Sequence, residues 1–360
     1  MCRLKRAGKI GYCCCVILRS VRPTRQHIAG MATQTSPMRV LVTGGSGLVG
    51  CALQAHATTA HATTAHACGG DAHGGVWLFP SSKDADLREY AQVLRLFQTL
   101  RPTHVIHLAA AVGGLFKNMR VPVDMYESNV AINGNVLRAA HVCGVIKVVS
   151  LLSTCIFPDA IAYPIDESML HAGPPHASNA PYAYAKRGLD VLSRAYNTQF
   201  PGGCKFVCGI PTNVYGPADN YSLEDGHVIP ALIHRCALAK REGVAFVVAG
   251  TGAPLRQFIH SADLAALLVW MLHNYEDAAP LILAPGEEVS IGDVARAIAA
   301  GTGFAGELRF DTSKADGQFK KTVSSAKLKS LVPGLALRPI VAGIADACVW
   351  FADNEALARK

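Results

Sequence analysis

Arg39-Val-Leu-Val-Thr43 runs directly into Gly44-Gly-Ser-Gly47-Leu-Val-Gly50, a short apolar stretch that ends in glycines repeated every third residue. A buried strand that passes through a glycine turn into a helix is the opening of a nucleotide-binding unit. The missing side chains permit a tight turn, close approach of backbone to a pyrophosphate, and close packing of helix on strand. Gly44, Gly47, Leu48 and Gly50 are therefore cofactor-binding candidates. Ordinary turns also use glycine, so the weight of the motif comes from the chain downstream of it.

Downstream the pattern alternates regularly. Val76-Trp-Leu-Phe79 reads as a second strand, residues 87–100 as a helix, His104-Val-Ile-His-Leu108 as a third strand, 122–142 as a helix and Lys147-Val-Val-Ser-Leu-Leu152 as a fourth strand. Apolar strands separated by helices of this length predict an α/β fold, a Rossmann-type doubly wound parallel sheet covered on both faces. The second half is less regular. Strands over 205–210 and 245–248 and helices over 228–240 and 263–273 are separated by loops containing Pro, Gly and Asn, which suits a smaller C-terminal α/β substrate lobe. The expected division is a basic extension over 1–37, a dinucleotide-binding domain over 38–204, and a mixed region over 205–360 that completes the sheet and forms the substrate lobe.

Composition removes several function classes. Half of the 360 residues are apolar and 17% are charged, enough to bury a substantial core. The formal charge of +8 is concentrated at the start, where residues 1–37 hold seven Lys/Arg and no acid, and beyond them 27 basic side chains face 26 acidic ones. That balance lacks the basic face needed to bind a nucleic-acid backbone, so no nucleic-acid partner is expected. The apolar run Ile10–Leu18 is too short to span a bilayer, so no membrane partner is expected. The extension reads either as an organellar targeting segment or as an upstream start, with Met31 or Met38 as the working beginning. A cytoplasmic location is expected otherwise. Cysteines are scattered without paired spacing, which fits a reducing compartment and no metal site. His56, His61 and His66 belong to a five-residue repeat within the low-complexity stretch 55–75. On a helix each would turn about 140° from the last, so they cannot share a metal.

The end of strand two selects between nicotinamide cofactors, because an acid there binds the ribose 2′-hydroxyl and repels a 2′-phosphate. Here the chain reads Pro80-Ser81-Ser82-Lys83. Ser82 and Lys83 favour the phosphate, which predicts NADP(H), while Asp84 close behind argues the other way. Asp86 and Leu87 are placed to meet the adenine, or equally to serve as a helix cap and a core leucine.

Tyr182 and Lys186 stand four residues apart on one helical face, just after Pro181 at a helix start. An ammonium beside a phenol lowers the cost of ionising it, and Tyr182 would donate its proton to a carbonyl oxygen as hydride arrives. Ser153, at the carboxyl end of strand four, would hydrogen-bond the same oxygen. A Tyr and Lys at this spacing also occur on any amphipathic helix; the glycine loop, the strand-end serine and the Tyr/Lys pair in chain order make a dehydrogenase-type site. Tyr184 is a rival phenol, but four residues on it meets Gly188. Cys155 and His227 add a thiol and an imidazole, groups suited to proton abstraction beside a carbonyl.

At this point the chain resembles the extended short-chain dehydrogenase/reductases, and within them the GDP-L-fucose synthase family. The resemblance runs from Met38 nearly to the end. It is carried by the glycine loop, His107-Leu-Ala-Ala-Ala-Val-Gly-Gly114, Ser153-Thr-Cys-Ile-Phe-Pro158, Tyr182-Ala-Tyr-Ala-Lys186, Pro211-Thr-Asn-Val-Tyr-Gly-Pro217, Gly226-His-Val-Ile-Pro230 and Asp316-Gly-Gln-Phe-Lys-Lys321. It implies a bifunctional enzyme acting on a GDP-sugar: GDP-4-keto-6-deoxy-D-mannose is inverted at C3 and C5 and reduced at C4 with NADPH. By matching motif position it implies Cys155 as the base and His227 as the acid of the inversions. Without it, Cys155 reads as a small buried residue and His227 as a loop or cap histidine.

The resemblance further implies that Leu151, Pro211, Asn213 and Val214 line the nicotinamide, with Asn213 also near the sugar. Arg235, Arg256 and Asp316 would approach the GDP, where a guanidinium pairs bidentately with phosphate. One departure stands out: the family commonly has Trp where this chain has Ala249, which removes a stacking surface for the nucleotide. The helices near 122–142 and 181–199 resemble the pair through which the family forms a homodimer. Two other readings stay open: another nucleotide-sugar 4-epimerase or reductase on this scaffold, which needs no second acid/base pair, and a non-enzymatic NADP-binding sensor, which has no use for Ser153, Tyr182 and Lys186.

Overall fold

The computed structural model describes residues 37–60, 75–314, 316 and 320–360. Strand β1 (Arg39–Thr43) leads into α1 (Leu48–Ala60), then β2 (Val76–Leu78), α2 (Tyr90–Leu100), β3 (His104–His107), α3 (Leu115–Arg120), α4 (Pro122–Val142) and β4 (Lys147–Leu151). Next come α5 (Ala180–Gln199), β5 (Lys205–Pro211), β6 (Asn213–Tyr215), α6 (Val228–Glu242), β7 (Phe246–Ala249), β8 (Leu255–Arg256), β9 (Phe258–His260) and α7 (Ser261–Asn274). The chain ends with β10 (Leu281–Leu283), β11 (Val289–Ser290), α8 (Ile291–Thr302), β12 (Leu308–Asp311), α9 (Ala326–Leu331) and α10 (Ile340–Asn354). The 1–37 extension, except Pro37, and residues 61–74 of the low-complexity stretch lie outside the described residues. The helix α1 takes up the first copy of the repeat.

Six strands form one sheet in the order β10-β5-β4-β3-β1-β2, and every pairing is parallel. The strands are near-continuous apolar runs because both faces are covered. Alternate residues serve opposite faces: Leu41, Val105, Val148 and Phe206 pack with Val93 and Phe97 of α2, Leu137 of α4 and Leu189 of α5. Val40, Val42, Ile106, Val149 and Val207 pack with Leu53 of α1 and Leu264, Leu268 and Met271 of α7. This is the doubly wound arrangement expected from the sequence.

A third core lies apart from the sheet, where Ile229 and Ile233 of α6, Phe246 and Val248 of β7, Ile298 of α8, and Ile344 and Phe351 of α10 pack together. It carries the small two-stranded pairs β7–β12, β8–β11 and β6–β9.

The chain leaves β1 for β2 on one side and returns to β3 on the other, so the sheet reverses between β1 and β3. Ligands of open parallel sheets bind beyond the carboxyl ends of the strands at such a switch point.

The helix expected over 87–100 begins at Tyr90. The preceding residues are held in a turn: Asp86 O accepts from Glu89 N at 3.1 Å, and Asn135 Nδ2 of α4 donates to Leu87 O at 3.0 Å and Arg88 O at 2.8 Å. Those long-range bonds have no local sequence signal.

Candidate active site

The loop after β1 closes with a 3.0 Å bond from Gly47 N to Gly44 O, and Gly44 adopts a φ of +75°. A methyl group at Gly44 would stand 2.8 Å from Ala109 N, and one at Gly50 would stand 2.3 Å from Gly45 O. Close approach of the loop after β3 therefore requires Gly44, and packing of the first turn of α1 onto its own loop requires Gly50.

Beyond the loop opens a cleft of about 1010 Å³. Gly44, Gly47, Leu48 and Gly50 line it, as do Ser82, Asp86, Leu87, Leu151, Ser153, Tyr182, Lys186, Pro211, Asn213, Val214 and His227. A smaller recess of about 310 Å³ is lined by Asn213, Val214, His227, Ala249, Arg256 and Asp316 among others. The two cavities share Asn213, Val214 and His227.

Three candidates stand off these walls. Lys83 is exposed on a turn outside the cleft lining, its backbone N bonded to Ser81 Oγ at 3.2 Å. Arg235, on the third-core helix α6, extends Nη1 to Val247 O at 3.5 Å. Cys155 lies under the strand end rather than on either wall. It sits in a tight turn over Thr154–Ile156 capped by Ser153, whose Oγ accepts from Cys155 N at 3.4 Å, and it packs against the core on the α2, α4 and α5 face of the sheet.

At the adenine end, Asp84 does not face the cleft, because its carboxylate accepts from Ser81 N at 2.7 Å and Ser81 Oγ at 2.8 Å. The same bonds lower its carboxyl, so it stays ionised but is turned away from the cleft lining. Asp86 is engaged by Arg88, whose Nη2 lies 2.7 Å from Oδ2, and the arginine's bonds draw the carboxyl down to about 2. Arg88 also lines the cleft, a cation there that the sequence reading overlooked.

Lys186 is buried and donates from Nζ to Leu151 O at 2.8 Å, with Nζ 6.0 Å from the centre of the Tyr182 ring. Burial lowers its ammonium to about 8, with the neighbouring Cys155 and Cys208 thiols acting the other way. Burial and the Cys155 sulfur hold the Tyr182 phenol well above its usual range. Burial also raises the Cys155 thiol, offset in part by Ser153, Lys321 and Lys186. His227 occupies the N-cap position of α6 without a side-chain cap bond and lines both cavities, and desolvation of its ring by the surrounding protein lowers its imidazole.

Asp316 accepts from Thr251 N at 2.9 Å and Thr251 Oγ1 at 2.6 Å, so it closes the turn beside Ala249 as well as lining the recess.

Sequence reasoning missed a buried chain behind the glycine loop. Thr43 Oγ1 meets His107 Nδ1 at 2.8 Å, His107 Nε2 meets Asn133 Oδ1 at 3.1 Å, and Asn133 Nδ2 donates to Ala185 O at 3.4 Å. Burial, and then Lys186, lower His107 to about 3 and keep it neutral. The chain links the cofactor loop to the helix of Tyr182 and Lys186. Asp219 was also missed: it lines the cleft at 4% exposure with Oδ2 unpartnered, and burial pushes its carboxyl up to about 7. Among the described residues no group of three His, Cys, Asp or Glu is gathered to hold a metal.

Comparison with known proteins fits this geometry. The sequence profile of the NAD dependent epimerase/dehydratase family matches residues 40–292. GDP-L-fucose synthase of Dictyostelium discoideum is 54% identical over 92% of this chain and 100% of its own length. The chain belongs to the GDP-L-fucose synthase family. A probable GDP-L-fucose synthase of Drosophila melanogaster is 47% identical over 89% of this chain and 99% of its own. The crystal structure of a GDP-L-fucose synthetase from Naegleria fowleri bound to NADP superposes with a TM-score of 0.84 at 46% identity, covering 93% of this chain and 100% of that one. The cofactor of this family member is NADP(H), and the cleft suits it: the glycine loop leaves room for a pyrophosphate, and Asp84 and Asp86 at the adenine end are already paired with Ser81 and Arg88.

Proposed function

We propose that this protein converts GDP-4-keto-6-deoxy-D-mannose to GDP-L-fucose, inverting C3 and C5 and reducing C4. The observation that carries the reading is the junction of the two cavities at Asn213, Val214 and His227, with Ser153, Tyr182 and Lys186 on the wall of the larger one. A sugar held there has its C4 oxygen between the cofactor and an acid/base set. When bound, NADPH supplies the hydride for C4.

Burial keeps the Tyr182 phenol protonated, ready to give its proton to the C4 oxygen. Lys186, fixed against Leu151 O, favours the phenolate that remains. Ser153 donates to the same oxygen. That pair of donors also stabilises the enolate formed when a proton leaves C3 or C5, so one oxygen-binding arrangement serves both halves of the reaction. Cys155 stands off the walls but directly follows Ser153 and Thr154, which line the larger cavity; from that turn it is assigned the base that takes the proton, by its place in the Ser153–Pro158 motif, and His227 returns one to the opposite face. Arg256 and Asp316 hold the GDP in the recess, and Arg235 joins them by turning from Val247 O.

The protein acts as a homodimer in the cytoplasm. Tyr126 and Val130 of α4 and Val191 of α5 are 45%, 44% and 54% exposed, an apolar strip on the outer side of the paired helices. Among the described residues no helix is long and apolar enough to cross a membrane.

Incubation with NADPH and the 4-keto sugar nucleotide is expected to consume NADPH and yield GDP-L-fucose in equal amounts. Sugar turnover without net NADPH consumption would refute the reading in favour of a 4-epimerase. Sedimentation at micromolar concentration is expected to give a dimer, which Val130→Asp should dissociate.

A further inference from the structure

The glycine loop offers a pyrophosphate its backbone N–H groups but no cation, since residues 44–50 contain neither Lys nor Arg, and the helix α1 that it opens carries none either. Beyond the partial charges of the backbone, the counter-charge for a bound diphosphate comes from elsewhere on the cleft wall. Among the described residues the Lys and Arg side chains that line the cleft are Arg88, Lys117, Lys186 and Arg359. Arg88 sits at the adenine end on Asp86, with Nη2 2.7 Å from Oδ2. Lys186 is buried and donates to Leu151 O at 2.8 Å, and Arg359 reaches Ala218 O at 2.6 Å, on the loop that follows β6. Lys117 has no carboxylate within ion-pair distance among the described residues. One of its three N–H donors is used, from Nζ to Val112 O at 3.2 Å.

That bond brings the ammonium back from α3 to the cofactor side of the wall. The segment after β3 lies directly against the glycine loop: a methyl group at Gly44 would stand 2.8 Å from Ala109 N, and Ala109 N donates to Thr43 Oγ1 at 3.3 Å. Val112 lies three residues further on, at most about 10 Å along the chain, and lines the cleft with Ala109 and Gly113. The stem of Lys117 lies over Gly113, where a methyl group would stand 2.4 Å from Lys117 Cδ and 2.9 Å from its Cβ and Cγ. Any larger residue at 113 therefore displaces the lysine. The helix α3 is fixed in turn, because Asn118 Nδ2 donates to Gly113 O at 2.9 Å and Gly114 O at 3.0 Å. Asp225, the acid this segment meets through the 3.3 Å bond from Gly114 N to Asp225 O, is engaged by Arg120 Nη2 at 3.4 Å.

We propose that Lys117 is a cofactor-binding residue whose ammonium pairs with the pyrophosphate of NADP(H), opposite the glycine loop. The loop supplies neutral N–H donors and Lys117 supplies the charge. The assignment concerns the cofactor alone and is independent of how C3 and C5 are inverted.

The test is a binding titration of the full-length protein with NADPH, NADH and GDP in turn. Lys117→Met should weaken NADPH about 10-fold, the usual worth of a hydrogen bond between charged groups, and Lys117→Arg should restore most of that loss. NADH, which carries the same pyrophosphate without the 2′-phosphate, should lose the same factor, and GDP should bind wild type and variants alike. Gly113→Ala should weaken NADPH in the wild type and add nothing in the Lys117→Met background, because the methyl group acts by displacing the lysine. An NADPH affinity unmoved by Lys117→Met overturns the proposal. So does a loss confined to NADPH and absent for NADH, which would place the ammonium on the 2′-phosphate, or a loss confined to GDP, which would place it on the sugar nucleotide.

Discussion

Lys186 Nζ donates a 2.8 Å hydrogen bond to Leu151 O, the last carbonyl of β4, and so ties α5 to the strand end that carries Ser153. The bond braces Ser153 against Tyr182, the two groups proposed to meet the substrate oxygen. Burial lowers the ammonium only to about 8, so it stays protonated at neutral pH, where the Leu151 carbonyl accepts its hydrogen bond.

Reduction should therefore fall as pH rises through about 8, where Lys186 loses its proton and the phenolate left on Tyr182 loses its support. Tyr182→Phe and Lys186→Met are each expected to lower kcat by about 100-fold or more, the usual worth of a positioned proton donor. A pH profile of NADPH oxidation under single-turnover conditions measures this. A profile flat from pH 7 to about 9 would contradict the role given to Lys186.

The chain Thr43–His107–Asn133–Ala185 sets a second pH limit. His107 falls from its ordinary 6.5 to about 3 on folding, so its contribution is fully present above pH 6.5 and is lost as pH falls towards 3. The full effect is about 5 kcal/mol as an upper figure. His107→Leu strands two buried polar partners and should cost about 2 to 4 kcal/mol of stability at pH 7.5, with a smaller deficit at pH 5. Urea unfolding of both proteins at the two pH values checks this.

Asp219 acts with the opposite sign. Its carboxyl rises from 3.8 to about 7 because it is buried, so its contribution is present below pH 3.8 and is lost as pH climbs through 7. Asp219→Asn keeps the shape without the charge and is expected to gain stability over the wild type at pH 8, by up to about 4 kcal/mol, with little gain near pH 4. Thermal unfolding at the two pH values tests this, and an equal effect at both would contradict it.

Much of the layout was legible because it is local. Strand-turn-helix alternation, the glycine loop and the Tyr182/Lys186 spacing are set by neighbours in sequence, and α4 begins and ends where its apolar pattern and Pro122 put it. The parts that escaped are fixed by contacts between distant segments. Asn135 holds residues 87–88 in a turn and delays α2 to Tyr90. Asp84 is turned from the cleft because its carboxylate folds back on Ser81. His107 was visible inside a motif, but its link to Asn133 spans 26 residues. Arg359 reaches the cleft because Tyr221 N bonds its carbonyl at 2.7 Å and its own Nη2 bonds Ala218 O at 2.6 Å, which no spacing near the chain end foretells.

The central claim is that one oxygen-binding pair serves both inversion and reduction, with Cys155 as the base of the former. The most direct measurement is turnover of GDP-4-keto-6-deoxy-D-mannose with NADPH in deuterated water, comparing wild type with Cys155→Ser. Wild type is expected to give GDP-L-fucose carrying deuterium at C3 and C5, and Cys155→Ser a reduced sugar without that exchange. Reduction without deuterium at either carbon in the wild type, or undiminished exchange in Cys155→Ser, would contradict the claim.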